Sequence, residues 1–565
     1  MEPWFIRESK RFQYELKALA DAGFSAAVDE SAKKSGKIVI TVKYELDGKM
    51  HDLKARFPES YPYFPFEITS NTFPGGRHKN QYNGSLCILK DPHTTWRASK
   101  DTLAGILTTQ IPKITQAQQE PEKAHEIEAH EAVQTSGQLE YAAPSFLFVG
   151  DWQISPHYSR GIISIGLEDK SNTNGILRGA VLKVLDDNKK TIASIDDAIS
   201  NRYDSPIKGR WVRLPSAPSS ADPENILNEA ISHWPTLRTP TFNDGLDVIG
   251  ILFPEEVEYE KYHENWAFIV RVNTQKIKFG ANYPCYLARA DQASTSVLQA
   301  RSPKLSPLRE KKILVVGLGS IGSVLAWQLA RAGIGQINLL DFDTLQFGNT
   351  LRWMYGVMAI GHPKATILSQ LLQYEFPFVK SLPFHHRIGD IQHPPNQHSD
   401  SKVLSQALDG VDMIVDATAE RCVSHFLSDI AKERAISYLW ATGTHGSWGG
   451  TIGRVVPGRT PGCWKCFQRF LYDEKFKGPN QENMSDVQPP GCFHSTFTGT
   501  GFDMDHVSLE ATRLVVSTLC QGSIKGYPDF NWDVGIVNLF SEDGLPIAAE
   551  WHTYPLERHP ECDCD

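Results

Sequence analysis

The stretch Ile313 to Gly333, ILVVGLGSIGSVLAWQLARAG, constrains this chain more than any other. An apolar run, Ile313 to Val316, leads into Gly317, Gly319 and Gly322 in GxGxxG spacing, and a helical pattern follows at once. Glycines at these steps allow a tight turn and close backbone approach to a phosphate, and the helix start supplies unpaired N–H groups and a favourable dipole. Asp341 closes the next apolar run, about 20 residues further on, where a carboxylate can accept from a ribose hydroxyl. Further βα alternation through DMIVDAT and SYLWATGT predicts a largely parallel sheet with flanking helices, holding an adenosine nucleotide.

These features also suit an NAD oxidoreductase. The segment LLDFDTLQFGNTLRWMYGVMAIGHPKA argues for different chemistry, because Asn349, Arg352 and Lys364 are groups able to face a triphosphate. Two cations beside the phosphates stabilise charge on the α-phosphate and on leaving pyrophosphate, and hydride transfer needs neither. Asp341, Asp343, Asn349, Arg352 and Lys364 together resemble the ThiF/MoeB and ubiquitin-activating enzyme family, whose pattern runs GxGxxG, DxDxVxxSNLxRQ, GxxKA. The resemblance implies that Asp341 holds the ribose, that Asn349, Arg352 and Lys364 hold the phosphates of ATP, and that Mg²⁺ bridges them. The family's DxTDN stands here as Asp416-Ala417-Thr418-Ala419-Glu420, with alanine at the usual metal-binding aspartate. Asp416 or Glu420 is then the candidate magnesium ligand, both being hard oxygen donors.

Of the nine cysteines, Cys463 and Cys466 form CxxC, and Cys562 and Cys564 form CxC near the end of the sequence. Four thiolates can close a tetrahedral Zn²⁺ site of structural role; free surface thiols are the alternative. The first pair resembles the zinc-binding CxxC of the ThiF/MoeB family. Cys492 lies in a proline-glycine loop before an expected helix, with His494 beside it, a setting that suits a nucleophile whose pKa is lowered by a helix N-terminus or a histidine. Resemblance to fused bacterial activating enzymes strengthens that role. Cys285, Cys422 and Cys520 sit in apolar or helical contexts and are expected in the core.

The beginning of the chain reads as a small α+β domain, with a helix from about Pro3 to Ala22 and strands at Lys37 to Leu46 and Tyr61 to Ser70. Tyr61-Pro62, His78-Lys79-Asn80, Gly84-Ser85-Leu86-Cys87 and Trp96 resemble the catalytic region of ubiquitin-conjugating enzymes, with HKN in place of HPN. That resemblance implies that Cys87 carries an acyl group as a thioester and that the Asn80 amide stabilises the oxyanion formed when lysine attacks it. His78 is expected to support the loop. The histidines of HEIEAH, His125 and His130, are five apart and do not share a helix face as zincin ligands must.

The expected organisation is therefore multidomain α/β and α+β: a ubiquitin-conjugating-like domain at 1–133, a linker domain of unassigned role at 146–300, and a Rossmann-like ThiF/MoeB adenylation domain at 301–565. A net charge of -9 gives no broad reason to bind nucleic acid or an anionic membrane. No transmembrane run or signal-peptide core is evident, and an odd, sparse set of cysteines argues for a reducing compartment, read as cytoplasm. The domain order resembles the enzymes of bacterial anti-phage CBASS systems. It implies activation of the C-terminus of a cGAS-like nucleotidyltransferase or a ubiquitin-like protein, a thioester relay from Cys492 to Cys87, transfer to a lysine of a target, and a homodimer formed through the adenylation domain. A sulfur-carrier activating enzyme, a ubiquitin-like system outside CBASS, and a nucleotide-binding scaffold are the competing readings.

Overall fold

The helix expected from Pro3 to Ala22 is two helices, Trp4–Arg7 and Ser9–Asp21, broken at Glu8 where φ is −109° and ψ 48°. The break lets Trp4, Phe5 and Phe12 all reach one core, with Trp4 lying 5.8 Å from Phe12 and 4.6 Å from Tyr61 between ring centres. The computed structural model describes residues 2–89, 91–119, 134–168, 176–258, 260–273, 283–391, 398–482, 486–487 and 496–564, in two compact units, Met1–Ala293 and Ser294–Asp565.

The first unit begins with those helices against a four-stranded antiparallel sheet, Ser25–Val28, Ile38–Leu46, Lys49–Phe57 and Glu67–Thr69, in sequential order. Alternation along Lys49–Phe57 turns His51, Leu53, Ala55 and Phe57 inward. The strand expected over Tyr61 to Ser70 shrinks to Glu67–Thr69, since Pro62 and Pro65 have no N–H to give a ladder. Helix Leu103–Gln119 covers the sheet, and buried Glu15 ties it in by accepting from Leu103 N at 2.9 Å and pairing with Arg11 at 2.7 Å.

The stretch without assigned chemistry is a barrel. Its strands run in the order Tyr141–Val149, Cys285–Gln292, Lys261–Val272, Leu246–Glu258, Ile207–Arg213, Arg160–Leu167, Arg178–Asp186 and Thr191–Ser194. Tyr141–Val149 also pairs with Arg178–Asp186, so the sheet closes on itself and Thr191–Ser194 hangs outside the ring. Trp211, Trp266 and Phe268 fill the interior, while Ile249, Ile251 and Phe253 face outward beneath helix Pro223–His233.

The second unit is an eight-stranded sheet ordered Lys380–His385, Gln336–Asp341, Lys312–Val316, Met413–Asp416, Ser437–Gly443, Gly449–Val455, Val534–Phe540 and Pro546–Tyr554. The first five strands are parallel, as expected, and the last three antiparallel. Helices Ser320–Arg331, Lys364–Glu375 and Gly501–Leu519 pack on one face, with Arg421–Glu433 and Trp464–Tyr472 on the other. The chain leaves Lys312–Val316 for one neighbour and later returns on its other side, which opens a crevice at the carboxyl end of that strand. Among the described residues, no helix is long and apolar enough to cross a membrane.

Candidate functional site

The crevice is built on the glycine turn. Gly317 has φ +83°, and a Cβ there would lie 2.8 Å from the backbone of Ala417 and Thr418. At Gly322 a Cβ would come within 1.9 Å of the Gly317 carbonyl oxygen, so this glycine lets the helix seat against the turn. Gly319 differs, because a Cβ would meet nothing within 4 Å and would occupy only the crevice. Open space beside a helix N-terminus is where a phosphate would sit. Gly319 is the N-cap of helix Ser320–Arg331.

Asp341 is 8% exposed, and its carboxylate accepts from Leu318 N at 2.6 Å and Asp343 N at 2.7 Å. Burial raises its pKa, against the opposing charge of Lys364 and these two N–H donors. Asp343 in turn pairs with Lys364 Nζ at 2.6 Å, while the Lys364 N–H donates to the Asp343 carbonyl at 2.9 Å. The ammonium is thereby held at one place in the crevice wall, with its side chain 10% exposed. Asn349 accepts from Gln346 N at 3.0 Å in a capping box, which orders the 3₁₀ turn Phe347–Leu351 and delivers Arg352 at its end. Arg352 is half-buried, and burial pulls its pKa below the ordinary guanidinium value.

Two adjoining pockets share Gly319, Lys364, Ala417 and Thr418. One extends past Asp341 to Phe342, His386 and Glu420; the other past Asn349 and Arg352 to Trp353, Ala441 and Gly443. The first has the buried Asp341 carboxylate in its wall, and the second the Arg352 guanidinium. Asp416 enters neither pocket lining. It is 1% exposed, accepting from Thr418 N at 2.9 Å and Thr418 Oγ1 at 2.6 Å on one oxygen and from Tyr438 OH at 2.8 Å on the other. These bonds shape the turn in which Ala419 takes φ +57° and Glu420 reaches the first pocket.

Trp353 and Tyr438 are the residues that sequence reasoning passed over. Trp353 Nε1 donates to the Leu318 carbonyl at 2.7 Å, directly inside the glycine turn. Its signal was proximity alone: it follows Arg352 in the chain.

The four cysteines of the CxxC and CxC pairs meet, with sulfurs all within 4.8 Å of one another. Cys463 and Cys466 are 3.7 Å apart, Cys463 and Cys562 3.7 Å, and Cys466 and Cys564 3.5 Å. Sulfurs about 2.3 Å from one zinc lie about 3.8 Å apart along tetrahedron edges, so the donor set fits the metal. Burial pushes the Cys463 thiol up to about 11, a cost that a divalent cation would reverse. The His559 N–H donates to Cys466 Sγ at 3.3 Å, and His559 Nε2 meets Asp473 at 2.8 Å.

In the first unit, Cys87 is exposed at the end of a tight hairpin. Cys87 N donates to the His78 carbonyl at 2.7 Å and Asn80 N to the Ser85 carbonyl at 2.8 Å. The Asn80 side-chain oxygen accepts from Tyr82 N at 2.8 Å and Asn83 N at 3.2 Å, so the amide is oriented by the hairpin it sits in. Trp96 Nε1 donates to the Pro62 carbonyl at 2.7 Å. Cys492 and His494 lie outside the described residues, as do His125 and His130. Of the cysteines expected in the core, Cys520 is buried and Cys285 half-buried, but Cys422 is exposed, because it falls on the solvent side of the first turn of helix Arg421–Glu433.

Residues 293–519 match the ThiF family. The chain is 28% identical to "Uncharacterized protein y4qC" of Sinorhizobium fredii over 96% of this chain and 94% of that one. It is 31% identical to the "ATP-dependent ubiquitin transferase-like protein Cap2" of Enterobacter hormaechei over 24% of this chain and 21% of that one. The molybdopterin-synthase adenylyltransferase of Salmonella typhimurium is 36% identical over 15% of this chain and 34% of its own. The glycine turn, buried Asp341, paired Lys364 and half-buried Arg352 all lie within that 293–519 match: the C-terminal half of this chain carries a ThiF/MoeB-family adenylyltransferase domain.

Proposed function

We propose that the protein activates the C-terminus of a partner polypeptide with ATP and conjugates it through two cysteines. The observation that carries this reading is the pair of pockets joined over Gly319, Lys364 and Thr418, one fit for the nucleoside and one lined by Arg352. Asp341 accepts from the ribose, the glycine turn and the start of helix Ser320–Arg331 receive the phosphates, and Arg352 and Lys364 stabilise charge at the reacting phosphate. The partner's carboxylate oxygen attacks the α-phosphorus and the bond to the β-phosphate bridging oxygen breaks, releasing pyrophosphate. The Cys492 thiolate then attacks the acyl carbonyl and AMP leaves. The Cys87 thiolate takes the acyl group, returning Cys492 as the thiolate, and a lysine amine, passing its proton to the departing sulfur, forms an amide as the Cys87 thiol leaves.

Glu420 is the carboxylate we assign to Mg²⁺, which when bound would offset charge on the triphosphate; Asp416 already has both oxygens engaged. Cys463, Cys466, Cys562 and Cys564 would hold a structural Zn²⁺. We assign the order conjugating-like domain (1–133), linker domain (146–300), adenylation domain (301–565) and a CBASS role in the cytoplasm; the partial similarity to the ubiquitin transferase-like Cap2 supports the conjugation chemistry. The partner is then a cGAS-like nucleotidyltransferase or a ubiquitin-like protein, and the enzyme a homodimer through its adenylation domain.

The test is a Cys87→Lys chain expressed in its native cells, where the new amine traps the acyl group as a stable amide. Mass spectrometry should find one polypeptide joined through its C-terminus to position 87, absent when Cys492→Ala is added. No adduct, with the neighbouring genes expressed, sinks the relay. An adduct that survives Cys492→Ala removes Cys492 from it.

A further inference from the structure

The barrel touches the Cys87 hairpin at both ends. Arg77, immediately before the His78 whose carbonyl receives the Cys87 N–H, pairs with Glu256 of barrel strand Leu246–Glu258 at 2.6 Å. Glu256 is 3% exposed, and its other oxygen accepts from Glu260 N at 2.6 Å. A carboxylate buried to that degree needs a cation beside it, and the hairpin's base supplies one. At the hairpin's tip, Tyr82 OH donates to the Pro218 carbonyl at 2.8 Å, and the ring packs against the apolar cluster beneath helix Pro223–His233. Gln81 N adds a longer bond, 3.4 Å, to Gln138. All of these residues lie in the unit Met1–Ala293.

We infer that the barrel is the platform that fixes the Cys87 hairpin, with Arg77 and Tyr82 as positioning residues for acyl transfer. The physical need is plain. One side of the hairpin is bonded to strand Glu67–Thr69 and its flank, Leu86 N donating to the Ile68 carbonyl at 2.8 Å and Ser70 N to the Gly84 carbonyl at 2.9 Å, which leaves the base at Arg77 and the tip at Tyr82 to be held from elsewhere if they are not to open locally. Fastening it at base and tip holds Cys87 and the Asn80 amide in one mutual geometry while leaving the sulfur open to an incoming thioester. The inference rests on Cys87 being the acyl carrier, but the fastening itself is measurable without any acyl group.

Glu256→Gln keeps the shape and removes the charge that faces Arg77; Tyr82→Phe removes only the hydroxyl. In the full chain, amide hydrogen exchange across residues 78–89 is expected to quicken at least about fivefold in Glu256→Gln and about threefold in Tyr82→Phe, with strands Ile38–Leu46 and Lys49–Phe57 unchanged. Iodoacetamide alkylation of Cys87 should change rate by about threefold or more, while exposed Cys422 in the same molecule reacts as before. Should Glu256→Gln also speed exchange in the barrel strands, Tyr82→Phe alone decides. Exchange of the hairpin within about twofold of the parent in Tyr82→Phe overturns the platform, and faster exchange with unaltered Cys87 alkylation reduces it to a structural contact. A Cys87→Lys chain that never gains an adduct counts against the relay and leaves the exchange result standing.

Discussion

Trp353 holds Leu318 by its carbonyl at 2.7 Å, while the N–H of the same Leu318 is held by Asp341 at 2.6 Å. Leu318, the residue between the first two glycines, is thus gripped through the peptide unit on each side of it, which fixes the course of the turn before any phosphate arrives.

Trp353→Phe keeps an aromatic ring, though a smaller one, and deletes one grip. A hydrogen bond of this kind is worth about 1 kcal/mol, so ATP affinity measured by calorimetry is expected to fall about fivefold, with denaturant stability lowered by about 1 kcal/mol. An unchanged affinity would mean that the turn needs only Asp341.

Gly319→Ala and Gly322→Ala should behave oppositely. The methyl at 319 meets open crevice and the one at 322 meets the Gly317 carbonyl. Gly319→Ala is expected to fold within about 0.5 kcal/mol of the parent yet bind ATP at least tenfold more weakly, whereas Gly322→Ala loses about 2 kcal/mol of stability. Chemical denaturation together with nucleotide titration separates the two.

Burial raises the pKa of Asp341 in the folded chain above the value it has unfolded. The folded state therefore binds the proton more tightly, and this group's contribution to stability falls as pH rises from the unfolded value through the folded one. If Asp341 accepts from the ribose as proposed, it does so as the carboxylate, and ATP binding should weaken on acidification at a higher pH than an exposed aspartate would dictate. Asp341→Asn is expected to flatten both profiles; profiles left unaltered would assign the pH dependence elsewhere.

Glu420→Gln should leave folding intact and raise the Mg²⁺ concentration required for half-maximal ATP binding by about tenfold, one carboxylate ligand having been lost. Asp416→Asn should do the reverse, costing about 2 kcal/mol of stability by disturbing the Thr418 and Tyr438 bonds, with a smaller effect on Mg²⁺. Equal Mg²⁺ dependence in Glu420→Gln and parent would remove Glu420 as the ligand.

Metal analysis of the purified chain is expected to find about one zinc per molecule, lost in Cys466→Ser. Chelation should loosen the tail around His559 and Cys562, seen as faster hydrogen exchange from residue 556 onward. Absence of metal from a freshly purified, reduced sample would make the cluster a set of plain thiols.

The local parts of this protein were legible in its residues. A glycine turn after an apolar strand, an aspartate at the end of the next strand, and cysteines at CxxC spacing each state their geometry within a few residues, because backbone sterics and ligand bite are short-range. What depends on distant partners was not. Nothing in Tyr141–Val149 says that it will pair with both Cys285–Gln292 and Arg178–Asp186, since alternation tells which face is buried but not which strand lies alongside. That one oxygen of Asp416 is taken up followed from Tyr438, 22 residues away, and the exposure of Cys422 from which side of a helix meets the sheet. Arg77 and Glu256, 179 residues apart, were in sequence two ordinary charges. Only the folded chain, by burying one and bringing the other to it, made them a pair, because the worth of a charge is set by the dielectric and the neighbour that tertiary structure gives it.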